Sequence, residues 1–339
     1  LQYPGVFGTI TTAAKTFSAN MQAKSTAASP PLTEGGTESL PQTLFYTWRD
    51  YRASYELHTP AHSDAGSSLP LLLIHPIGVG LSRRFWHRFC KEWYQIGRRN
   101  PIYNPDLLGC GESDMPRAAY MPADWADQLQ HFLQTVVQKP AIIVVQGALL
   151  PVAIELAQLQ PNLIRGLVLS GPPAWAIMTK PTPAWQQKLT WNLLDSPAGS
   201  AFYRYARSRQ FLQSFSTKQL FGDANSVDAE WLDTLEAGAT NPASRHAVFS
   251  FLAGFWRKDY KPAVAAIAQP TLVVFGEKAS SISREGKQEL PAQRLADYLD
   301  CLPQGRGLQI KGRNVLPYES TPEFVAAVAA FVSELETNQ

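Results

Sequence analysis

The side chains able to act as nucleophile, acid or base in this chain are few and far apart. Six histidines (His58, His62, His75, His87, His131 and His246) all precede residue 247. Three cysteines (Cys90, Cys110 and Cys301) are odd in number and widely spaced, which gives neither a metal-ligand pattern nor a disulfide framework. We expect no metal and no cofactor. The candidate nucleophiles are Ser113, in a glycine-rich loop, Ser170, at the end of an apolar run, and Cys110, between Gly109 and Gly111. A hydroxyl or thiol needs an adjacent base to attack a carbonyl, and no histidine is placed to serve either serine. A thiol at Cys110 could react, although packing explains it more simply. His75 ends an apolar run and Asp106 follows a short one, so both read as groups that hold loops. Glu277 reads as an exposed loop acid. His87 and His246 are solitary.

These residues are spaced by alternating elements. Thr43–Trp48 and Arg52–His58 read as strands, and Leu69–His75 as a strand buried on both faces. Residues 83–95 follow as a helix, 101–105 as a strand, 123–137 as a helix and Ala141–Gln146 as a buried strand. Next come a helix over 149–159, with Pro151 tolerated in its first turn, and a strand over 164–170. After residue 262 the order resumes with strand 271–275, helix 288–302, strand 307–311 and helix 321–336. Strands alternating with helices predict a mostly parallel, doubly wound α/β sheet. Residues 172–262 break the alternation. They read as an aromatic helical insertion, holding five of the nine tryptophans, and insertions after a strand's C-terminal end lie where open sheets bind ligands.

Five short stretches fall in one order. They are Leu73-Ile-His75-Pro-Ile-Gly78, Asp106-Leu-Leu-Gly109-Cys-Gly111-Glu-Ser113, Pro161–Pro173, Gln269-Pro-Thr-Leu-Val-Val-Phe-Gly276-Glu-Lys278 and Glu319-Ser-Thr-Pro322-Glu-Phe324. In this order the chain resembles the α/β-hydrolase superfamily, in the form that carries a helical cap. The resemblance implies a core over 41–171 and 263–339, a cap over 172–262, and a Ser-Asp-His triad.

The positions matching that triad hold other residues. The nucleophile turn matches Val145-Gln146-Gly147-Ala148-Leu149, which puts Gly147 where the serine belongs. Ala279 stands where the acid belongs, with Glu277 two residues early. Spacing before Glu319 places Asn314 or Arg313 at the base position, and neither an amide nor a guanidinium accepts a proton near neutral pH. We therefore expect a non-catalytic protein that keeps the cavity and binds a small apolar ligand or a protein partner. The expected ligand-binding residues are Ile77, Gly147, Ala148, Trp175 and Asn314, the backbone N–H groups of Ile77 and Ala148 surviving as oxyanion-type donors. The alternative is an active hydrolase or lyase using Cys110, Glu277 or His75. For a protein partner, Phe202-Tyr-Arg-Tyr-Ala-Arg207 is the candidate contact.

Composition narrows the rest. A net charge of +2 over 339 residues gives no footprint for nucleic acid. The arginine clusters Arg83–Arg84, Arg98–Arg99 and Arg204/Arg207/Arg209 read as solvated faces. No apolar run reaches the roughly 18–20 residues that span a bilayer. Residues 1–40 are rich in Ala, Thr, Ser and Pro, with no acid before Glu34, and are expected to be disordered. A cytoplasmic location is expected, with organellar or stromal import left open by that Ser-rich, acid-poor start.

Overall fold

A computed structural model describes residues 42–60 and 68–337. The expectation of disorder over 1–40, and His62, lie outside the described residues. Two strands open the fold, β1 (Thr43–Trp48) and β2 (Tyr51–His58). They form an antiparallel hairpin with Arg49 at a φ of +51° in its turn. Then follow β3 (Leu71–Ile74), α1 (His87–Gln95), β4 (Ile102–Pro105), α2 (Pro122–Phe132), β5 (Ala141–Gln146), α3 (Leu150–Leu159) and β6 (Ile164–Ser170).

Between β6 and the next strand the chain forms helices only. They are α4 (Trp175–Met178), α5 (Ala184–Leu194), α6 (Pro197–Ala206), α7 (Arg209–Phe215), α8 (Ala229–Gly238), α9 (Arg245–Leu252) and α10 (Lys261–Ala265). The sheet then resumes with β7 (Thr271–Gly276), α11 (Pro291–Cys301), β8 (Gly305–Ile310), α12 (Leu316–Glu319) and α13 (Thr321–Thr337).

The eight strands make one sheet in the order β1-β2-β4-β3-β5-β6-β7-β8. β2 pairs antiparallel with β1 and β4, and every later pairing is parallel. This is an α/β-hydrolase fold. Strand β5 shows why it is double-layered. All six of its residues are buried, and because successive side chains alternate faces, Ile143 and Val145 join one core while Ile142 and Val144 join the other. Phe132, Leu129 and Ile154 of α2 and α3 fill the first core, and Phe89, Trp93, Phe324 and Val328 of α1 and α13 fill the second.

Two expectations need correction. The strand read over Leu69–His75 spans only Leu71–Ile74. His75 lies past the ladder, where its ring bonds the Pro76 carbonyl and the Leu107 N–H. Arg83 is not on a solvated face but 1% exposed. Its guanidinium meets Glu56 at 2.9 Å, Glu112 at 2.8 Å and also Asp106, all on elements that fold over it. Arg84, by contrast, is exposed, as read.

Candidate functional site

The parallel strands end together near the point where the chain order reverses, between β3 and β5, the place where open α/β sheets put their sites. Gly147 leaves β5 with a φ of +63°, a conformation glycine adopts freely and other residues do not. The strand thus passes into a short 3-10 turn and then α3, with Pro151 in the helix's first turn. A Cβ added at Gly147 would meet only the Gly171 carbonyl oxygen, at 4.0 Å. A Cβ would clash with nothing here, although the left-handed backbone would strain any residue that carried one.

Ala279 follows β7 in a tight turn, its N–H donating to the Gly276 carbonyl at 2.9 Å. Its methyl is buried and offers no acid. Glu277 is exposed.

Asn314, in the loop after β8, is the hub of this corner. Its Nδ2 donates to the carbonyls of Gln219 at 2.7 Å and Ser280 at 2.9 Å, and its Oδ1 accepts the Ser280 N–H at 3.2 Å. Its own N–H donates to Leu220 at 3.0 Å, and its carbonyl accepts from Gln146 Nε2 at 2.7 Å. Gln146 Oε1 in turn accepts from Ser170 Oγ at 2.6 Å. Through its amide and its main chain Asn314 therefore ties the ends of β5, β7 and β8 to the inserted segment. Arg313 reinforces the tie. Its guanidinium donates to Ser280 Oγ and, at 2.6 Å, to the Lys218 carbonyl, while Glu319 accepts the N–H groups of Gly222 and Arg313 at 2.6 and 2.9 Å.

A second clamp lies across the corner. Gly80, in the loop after β3, approaches α8 so closely that a Cβ there would stand 1.9 Å from the Leu235 carbonyl oxygen, and one at Gly238 would stand 2.1 Å from the Gly80 oxygen. Backbone packs on backbone because neither glycine has a side chain.

The other candidates are spoken for. His75 is fully buried; its Nδ1 lies 2.8 Å from the Pro76 carbonyl and its Nε2 accepts the Leu107 N–H at 3.1 Å. Those partners fix a neutral ring with both nitrogens occupied, and burial pushes its pKa down despite nearby Asp106. Cys110 is buried, and burial, with Asp106 adding to it, pushes the thiol far above its usual range, the reverse of an activated cysteine. Ser113 Oγ donates to the Asp106 carbonyl and accepts the Ser54 N–H, both at 2.9 Å. Asp106 itself accepts from Ser54, Arg83 and Glu112.

Ile77 and Ala148 are half-buried beside the turn. Trp175 is half-buried; its ring stands edge-on to Tyr298 at 4.9 Å and its main-chain N–H donates to Glu289 at 3.0 Å. Two concavities, of about 240 Å3 between α3 and α10 and about 140 Å3 near the start of α13, are lined by neither Gly147 nor Trp175. Among the described residues no group of three or more His, Cys, Asp or Glu side chains could hold a metal ion, and no helix is long and apolar enough to cross a membrane. Sequence reading missed the role of Gln146. The signal was there: it is the one polar residue in an otherwise apolar, fully buried strand.

With that geometry in place, the family model described as "Alpha/beta hydrolase family" matches residues 71–328. The chain belongs to the α/β-hydrolase family. Its curated relatives cover less of it. An uncharacterized protein of Mycobacterium tuberculosis is 32% identical over 130 residues, 38% of this chain and 35% of the relative. A 2-hydroxymuconate semialdehyde hydrolase of a Pseudomonas strain is 29% identical over 109 residues, 32% of this chain and 38% of the relative. The chain thus spans little more than a third of the length of these relatives. Among solved structures, a serine hydrolase involved in carbazole degradation aligns with a TM-score of 0.67 at 17% identity, covering 87% of this chain and 99% of that one. The enol-lactonase of Burkholderia xenovorans aligns at 0.65 and 14%, covering 86% and 100%. At such identities these structures share the fold alone.

Proposed function

We propose that this family member is non-catalytic, that its reaction corner works as a junction between sheet and inserted helices, and that the room beside Gly147 receives a small, mostly apolar molecule without converting it. The observation that carries this reading is the Asn314 side chain. Both Nδ2 donors and the Oδ1 acceptor are bonded to main-chain groups, so the side chain at the expected base position is committed to holding loops together. Gly147 and Ala279 add no nucleophile and no acid, and the chain contains no histidine beyond His246. Ligand recognition falls to the lining Ile77, Gly147, Ala148 and Asn314, with the backbone N–H groups of Ile77 and Ala148 donating to one carbonyl or hydroxyl oxygen.

The test is a panel of esters and thioesters with the full chain, alongside fluorophosphonate labelling and native mass spectrometry after gentle purification. The expected result is no label, no turnover above the buffer rate, and a retained small molecule. Turnover abolished by Cys110→Ala or Glu277→Gln would overturn the reading in favour of a hydrolase or lyase working through those residues.

A further inference from the structure

Helix α5 is apolar on two sides. Its inner face carries Trp191, whose ring packs 5.6 Å from Phe255, and buried Leu194. Its outer face carries Trp185, Leu189 and Leu193, respectively 59%, 61% and 53% exposed. Spaced four residues apart, these three form one stripe about 12 Å long. Surface helices ordinarily turn polar residues outward, so this stripe asks for a covering.

Its surroundings say of what kind. From Trp175 to Gly222 the chain holds six basic residues and a single acid, Asp195. That acid is taken by Arg117 at 2.9 Å, with His246 at 3.5 Å. Arg207 and Arg209 are engaged with carbonyls and carboxylates of the insertion. Lys180, Lys188 and Arg204 are exposed and meet no carboxylate among the described residues. Lys188 lies on α5 itself, three residues after Trp185 and next to Leu189 in sequence.

We propose that the outer face of α5 docks on an anionic lipid surface. Trp and Leu would enter the boundary between headgroups and acyl chains while the lysines meet lipid phosphates, the arrangement of an interfacial helix. A second copy of the chain fits less well, because a two-fold contact sets the same patch against itself and would bring Lys188 toward its own equivalent. A stable protein interface uses roughly 20–30 residues a side, whereas this stripe offers three apolar side chains on a convex helix. The inference is independent of the chemistry at Gly147.

The experiment is co-sedimentation of the full chain with mixed phosphatidylcholine–phosphatidylglycerol vesicles and with pure phosphatidylcholine vesicles. Binding is expected to the mixed vesicles and to weaken as salt rises. Lys188→Gln should lower affinity roughly fivefold and Leu189→Ser about tenfold. Both positions are exposed, so melting should not move. Should Leu189→Ser fail to fold, Trp185→Ser reads the same stripe, and Lys188→Gln tests the charge without touching it. Equal binding by wild type and variants, or no preference for the anionic vesicles, overturns the proposal. So does a dimer in sedimentation velocity that Leu189→Ser dissociates, which would give the face to a second copy.

Discussion

Two polar corners of this molecule are built on opposite plans. Under the loops after β3 and β4, ionisable side chains are buried and paired: Arg83 with Glu56, Asp106 and Glu112, and Asp106 with Ser54 and the main chain of Arg83 and Glu112. Burial alone would raise the Glu56 carboxyl, but His58, His87 and Arg83 outweigh it and hold it well below the usual carboxylate range. At the ends of β5, β7 and β8, none of the three stations carries an ionisable side chain; an amide and main-chain groups hold them together, and the charged Arg313 and Glu319 bond main-chain groups and Ser280 beside them rather than forming a buried network. The difference teaches where charge is needed. A buried charge network cannot lose one member without stranding the others. The reaction corner holds together without charge at its three stations, because Asn314 bonds neutral carbonyls and N–H groups that belong to the fold in any case.

The comparison is most exposed to Arg83→Met. The methionine fills much of the same volume but leaves Glu56 and Asp106 buried without their cation. Breaking such a set from one side costs about 3–5 kcal/mol, and urea unfolding should show a loss of that size. A loss below about 1 kcal/mol, the range of surface pairs, would mean the first corner is no more dependent on charge than the second.

Next in size is Asn314→Ala. It removes three side-chain bonds and leaves the Gln219 and Ser280 groups to find water. The corner is half-buried, so about 1–3 kcal/mol is expected. The signature is local: faster hydrogen exchange over residues 218–223, which Asn314, Arg313 and Glu319 hold against the sheet. Unchanged protection there would remove the junction from the account of this corner.

Most of the architecture was legible because apolar runs and turn residues have local periods. Strand β5 and strand β6 were read to the residue, and Gly147 was read at the turn where the backbone does take a left-handed φ. What escaped was long-range and polar. Arg83 looked like half of a surface pair with Arg84, yet its partners lie at Glu56, Asp106 and Glu112, brought in by a hairpin and a loop. His87 looked solitary and meets Glu56 at 2.9 Å. Spacing offered Asn314 or Arg313 for the loop after β8, but the partners of Asn314 at Gln219 and Leu220 sit 95 and 94 residues away in the insertion. Trp175 hid its partner for a related reason. An aromatic after β6 suits a pocket roof, and its contact with Tyr298, far along the chain, leaves no local signal.

The smallest effect separates space from chemistry at the second corner. Gly147→Ser adds a hydroxyl where a built Cβ has only the Gly171 oxygen within reach, at 4.0 Å, so no clash should oppose it. The cost is conformational: a side chain at a φ of +63° should lose about 1–2 kcal/mol, and Gly147→Ala should lose the same. Asn314, at the expected base position, has its amide already bonded and accepts no proton near neutral pH. We expect both variants to melt lower by equal amounts and neither to turn over an ester. A serine variant that hydrolyses esters while the alanine variant does not would show a usable base within reach of that turn, and the contrast between the two corners would collapse.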